Sequence, residues 1–135
     1  MRILKLMELE GMTPDLAAAL EAEGIKDAAA LLDAAGPKEG RQALAAKLGV
    51  EARKLLELCN RADLSRIKGI GTVYSDLLEF AGVDTVMELA QRNPDNLYAK
   101  IVEQADAHHV KRLPTATDVA NWVGQAQALE RKVFY

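Results

Sequence analysis

At 135 residues the chain has room for one domain or two small subdomains, and it is half apolar, mainly Ala and Leu, with only 4% aromatic residues. That mixture suits packed helices and excludes an all-β fold, which would draw on more Val, Ile, Thr and aromatic rings. A net charge of −3 excludes a polycation that coats nucleic acid or anionic membrane, a single cysteine excludes a disulfide framework or cysteine-rich zinc site, and no apolar run reaches the ~18 residues of a membrane span.

Local signals divide the chain into helices. A short helix is expected from about Arg2 to Leu9. Thr13 can cap a helix that has Pro14 at its first position and ends at Gly24. Asp27 caps a second, Ala28 to Ala35; Lys38 to Leu48 forms a third, stopped at Gly49; and Glu51 to Ser65 forms a long fourth. Four more follow: Thr72 to Ala81, Thr85 to Arg92, Pro94 to His108 behind an Asn93 cap, and Ala116 to Arg131 behind Thr115, with Asp118 at capping-box spacing. The expected fold is all-α, with about nine short helices and no strand.

The order of these helices repeats. At an offset of 58 residues, Leu6, Gly11, Leu20, Glu21, Gly24 and Leu31 fall on Leu64, Gly69, Leu78, Glu79, Gly82 and Leu89. Farther on the offset is about 64, which pairs Leu55, Leu58, Cys59 and Ala62 with Val119, Trp122, Val123 and Ala126 and implies an insertion of roughly six residues within Ile101 to Pro114. We therefore divide the chain into residues 1–66, including a connecting helix 51–65, and residues 67–135. One compact unit and two lobes both remain open.

The sharpest local signal is Leu64 to Leu89, LSRIKGIGTVYSDLLEFAGVDTVMEL. A helix ends, Gly69-Ile70-Gly71 turns the chain, a helix starts at once, and Gly82-Val83 follows it. Glycine allows close backbone approach and positive φ, and a helix N-terminus attracts anions. The segment resembles the helix-hairpin-helix motif. That resemblance implies that the amides around Gly69 and Gly71 face a phosphate while Ile70 plugs the core. Beyond the motif, nearly the whole chain resembles a bacterial domain of unknown function built from two helix-hairpin-helix repeats, which implies a fold but no activity. The first copy departs from the motif: Thr13 replaces the second glycine, and Glu8, Glu10 and Asp15 surround the turn, so it is expected to be structural. The second copy has Arg66 and Lys68 before its turn but no cation after it.

Charge is segregated along the chain. Residues 1–35 carry −4, residues 36–68 carry +4, residues 69–110 carry −5 and residues 111–135 carry +2. Within the positive stretch Lys54 and Arg61 stand seven apart on one side of a helix, and Lys68 continues the spacing. Such a stripe can track a nucleic-acid backbone, although ordinary solvated side chains balanced by Glu57 and Asp63 would look the same. A second basic cluster is His108-His109 with Lys111 and Arg112; adjacent histidines point about 100° apart on a helix, so no metal site is expected. Cys59 lies on an apolar helix face and reads as a buried thiol, and Trp122 as core. Phe134 and Tyr135 can dock within the chain or on a partner.

Nothing in the sequence forms a catalytic or nucleotide-binding signature, so no enzyme, cofactor or small-molecule substrate is expected. Two functions stay open. One is a binding module that contacts DNA or RNA phosphates without reading sequence, through Gly69, Ile70 and Gly71 with Lys54, Arg61, Arg66 and Lys68. The other is a protein interaction or self-assembly module in which both hairpins are structural and the C-terminal helix or Phe134 and Tyr135 meet the partner. Either is expected in the cytoplasm, away from membranes.

Overall fold

A computed structural model describes residues 3–135. Among them every regular element is helical: α1 (Pro14–Ala22), α2 (Ala28–Ala35), α3 (Lys38–Leu48), α4 (Ala52–Leu64), α5 (Thr72–Phe80), α6 (Val86–Ala90), α7 (Pro94–Ala107) and α8 (Ala116–Gln127). Ahead of α1, Leu6–Glu8 forms one 3-10 turn where the sequence predicts a longer helix, whose start at Arg2 lies outside the described residues. Lys5 instead pairs with Asp27 in an isolated antiparallel bridge, which holds this stretch extended. No helix among the described residues is long and apolar enough to cross a membrane.

The caps anticipated from the sequence form. The side chains of Thr13, Asp27, Asn93 and Thr115 each accept an N–H three residues on, from Leu16, Ala30, Asn96 and Asp118. Thr115 and Asp118 complete a reciprocal capping box. Gly11 and Gly69 have φ of 90° and 100°, and α1 and α5 each span nine residues. Past each helix, the N–H groups of Ile25 and Val83 donate to the carbonyls of Leu20 and Leu78.

Two compact units result. One comprises Met1–Asp63 with Arg131–Tyr135, the other Leu64–Glu130. In the second unit α8 packs on α6 and α7, and α5 on α7, around a core that includes Leu77, Leu78, Leu97, Ile101 and Trp122. In the first unit α2 packs on α3, and Leu20, Leu31, Leu58 and Cys59 lie at the centre of the core.

The helix expected to run to Arg131 stops at Gln127. Leu129 packs on the second unit's core, and the chain then leaves helical geometry so that Val133 can bury itself in the first unit. Arg41 holds this end in place. Only 5% exposed, its guanidinium donates to the carbonyls of Ala35 and Gly36 at 3.2 and 2.9 Å and to that of Phe134 at 2.9 Å. The Phe134 N–H returns a bond to the Gly36 carbonyl. Gly36 must lack a side chain, because a Cβ there would collide with the carbonyls of Lys132 and Leu32. Replacing Arg41 with Met would keep the apolar stem but remove the guanidinium donors from three carbonyls, of which that of Gly36 keeps the Phe134 N–H. Hydrogen bonds to a charged donor contribute about 1.5–3 kcal/mol each, and they are not additive. Arg41→Met should therefore lower stability by roughly 2–4 kcal/mol in urea unfolding followed by circular dichroism.

Candidate nucleic-acid interface

The first-unit turn is closed by its own side chains. Thr13 occupies one amide of the α1 N-terminus, and Lys54 on α4 donates its Nζ to the Gly11 carbonyl at 2.6 Å. An ammonium held there satisfies a carbonyl of the turn and is tied to it by that bond. Arg61 also belongs to α4, on the first unit's side of the division, whereas Arg66 and Lys68 belong to the second. The expected stripe is therefore divided between the units, and its first cation has an internal role.

The second-unit turn is built differently. Gly69, at φ 100°, backs onto the indole of Trp122: a Cβ there would stand 3.1 Å from Nε1, and the left-handed backbone would itself disfavour any side chain. Ile70 is buried, as a plug between the two glycines should be. Gln125 on α8 clasps the peptide of Lys68, accepting from its N–H at 2.8 Å and donating to its carbonyl at 3.0 Å. Asn121 orients that amide by accepting from Gln125 Nε2 at 2.7 Å. The turn is thus fixed from below by Trp122 and Gln125, one helical turn apart on α8, while Lys68, Gly69 and Gly71 face outward.

Gly71 is the N-cap of α5 and supplies no capping side chain. The first helical bond runs from the Ser75 N–H to the Gly71 carbonyl, so the amides of Thr72, Val73 and Tyr74 head the helix ahead of it. Both helix starts carry partial positive charge, but at α1 Thr13 accepts from one amide, whereas at α5 the N-cap offers no side-chain acceptor. Arg66 is already engaged, donating Nη2 to the Glu130 carbonyl at 2.8 Å.

A cation that the sequence reading did not connect to this place reaches it through the fold. Arg112 lies over the Tyr74 ring, 5.1 Å from its centroid, and the Tyr74 hydroxyl approaches the Leu113 carbonyl at 3.5 Å. Tyr74 in turn packs on Trp122 with centroids 5.2 Å apart. The segment between α7 and α8 thereby brings a guanidinium to the first turn of α5, a helix with no basic residue of its own. The aromatic residue three positions into the helix was the available signal, but nothing local pairs it with a residue 38 positions later.

Of the remaining candidates, Phe134 and Tyr135 are exposed, and both rings lie under Arg131, whose guanidinium carbon is 4.9 and 5.8 Å from their centroids. Their apolar faces are thus partly occupied within the chain. No group of three or more His, Cys, Asp or Glu among the described residues is placed to hold a metal ion. Cys59 is fully buried, and burial pushes its thiol up to about 12, with Arg41 opposing the shift and Asp63 adding to it. The native protein should accordingly resist a neutral-pH thiol reagent until it unfolds. The unfolded thiol ionises near 9 and the folded one only near 12, so this group's contribution is intact below 9 and is lost as pH rises through that interval; Cys59→Ala should flatten the decline in an alkaline denaturation series.

No curated protein and no solved structure was found to match the chain. A family model covers residues 10–129, a span that takes in both glycine turns and all eight α-helices. The chain belongs to the family described as Domain of unknown function (DUF4332).

Proposed function

We propose that the protein is a non-enzymatic helix-hairpin-helix module of the cytoplasm, made of two related copies, whose second hairpin grips nucleic-acid backbone phosphates without reading sequence. The observation that carries this reading is the α5 N-terminus, which begins on Gly71 without a side-chain cap and is flanked by Lys68 and Arg112. Backbone amides at a helix start are suited to an anion, and two nearby cations add the attraction that falls with salt. Phosphate contacts of this kind position a strand and carry no base information. The first hairpin takes the structural role, since Thr13 and Lys54 close it. Of the cations anticipated from the sequence, Lys68 keeps the ligand-facing role, while Lys54 and Arg66 serve carbonyls of their own units.

Self-assembly is the reading that the same experiment weighs against this one. Fluorescence anisotropy with labelled nucleic acid at low and moderate salt should show binding that weakens steeply as salt rises, and light scattering should show a mass independent of concentration. Lys68→Glu and Arg112→Ala should each weaken binding and shrink the salt slope by about 1. Gly71→Thr copies the cap of the first hairpin. Thr and Gly rank alike as N-caps, so stability should hold while affinity falls. Salt-insensitive binding, or affinity unchanged in all three variants, would defeat the proposal.

A further inference from the structure

Beside the α5 N-terminus the surface continues along the helix in a form that a phosphate contact alone does not use. Val73 and Phe80, seven residues apart, share one side of α5 and are 38% and 41% exposed, while Leu77 and Leu78 are buried. The imidazole of His108 lies flat on the Phe80 ring, with centroids 3.8 Å and planes 6° apart. Arg112 meets Tyr74 at the opposite end of the same helix. Residues 108–112 therefore run beside α5 from its last turn back to its first. His109 takes a left-handed backbone, φ 57°, which is uncommon for a residue with a side chain. Its N–H donates to the Asp106 carbonyl at 3.2 Å. His109, Lys111 and Arg112 are all exposed. By the 100° step of a helix, Asp76 and Glu79 fall on the side of the Val73–Phe80 strip away from Tyr74. An apolar strip that ends in a ring pair is thus bordered by cations on one side and carboxylates on the other.

We infer, building on the phosphate reading above, that the ligand of this surface is single-stranded nucleic acid, with a base stacked at the Phe80–His108 pair and the backbone following residues 108–112 to the Gly69–Gly71 turn. A base in a single strand can swing out and lie on an exposed ring, whereas bases in a duplex are already stacked on one another. Lys68, Lys111 and Arg112 mark the basic side as the course of the backbone. From Gly71 to Phe80 the helix rises about 14 Å, at 1.5 Å per residue, which a few nucleotides cover at 3.4 Å or more per phosphate.

Labelled oligo-dT, oligo-U and a DNA duplex of equal length, titrated in anisotropy against the full chain, test this. Both single strands should bind at least several-fold more tightly than the duplex, and the two compared with each other show whether the 2′-hydroxyl contributes. Phe80→Ala should weaken single-strand binding about tenfold while leaving the salt slope unchanged. Phe80→Trp should restore it, and the fluorescence of the indole it introduces should be quenched by oligo-dT. Circular dichroism verifies that each variant is folded. Duplex binding as tight as single-strand binding, or Phe80→Ala without effect and no oligo-dT quenching in Phe80→Trp while Lys68→Glu still weakens binding, would overturn the single-strand assignment and leave the phosphate contact standing. Loss of salt-sensitive binding to every probe would overturn both.

Discussion

The arrangement of both units depends on a left-handed glycine placed just ahead of a helix. At Gly11 and Gly69 the chain reverses within a few residues, which is possible only where a Cβ would cost little or is absent. Because the turn is so short, the helix that follows begins immediately, and its first amides are held in a fixed direction. What occupies those amides then decides the character of each unit. Thr13 satisfies one of them internally; Gly71 leaves them to the surroundings. Thr13, together with Lys54, closes the first turn, and the turn at Gly71 has no capping side chain.

Around the open turn the supporting contacts come from distant parts of the chain. Gln125 fixes the Lys68 peptide, Trp122 fills the space behind Gly69, and Arg112 rests on Tyr74. None of these side chains is interchangeable with a merely apolar or merely basic one. The amide of Gln125 both donates and accepts, and the indole lies on the face that a Cβ at Gly69 would fill. Rigidity in the turn matters for anion contact, because amides that must be reoriented on binding lose part of their advantage to the cost of ordering.

Much of this was legible in the sequence, because helix ends are written in side chains that act locally. Thr13, Asp27, Asn93 and Thr115 cap the helices they precede, and the glycine spacing located both turns. The contacts that were not legible are those in which a distant backbone group competes for a side chain. Lys54 reads as a surface cation on an amphipathic helix, yet the Gly11 carbonyl claims it. Nothing beside Arg41 in the sequence marks it for burial, yet its guanidinium donates to three carbonyls. The end of α8 is misjudged for the same reason: helical propensity extends to Arg131, but burial of Val133 and the bonds at Phe134 favour an extended chain. Arg112 is the converse case, a charge whose relevance to α5 exists only once residues 38 apart are brought together.

The Arg41 contact also has a bearing on the order in which the molecule is made. The second unit is continuous in sequence, from Leu64 to Glu130, whereas the first is completed by residues 131–135. As the chain leaves the ribosome, the later unit is therefore synthesised before the last contributors to the earlier one. Until Val133 and the Phe134 carbonyl emerge, Arg41 faces two of its three acceptors and a gap in the core stays open. Residues 131–135 thus complete a core whose other members lie about seventy or more residues earlier in the chain.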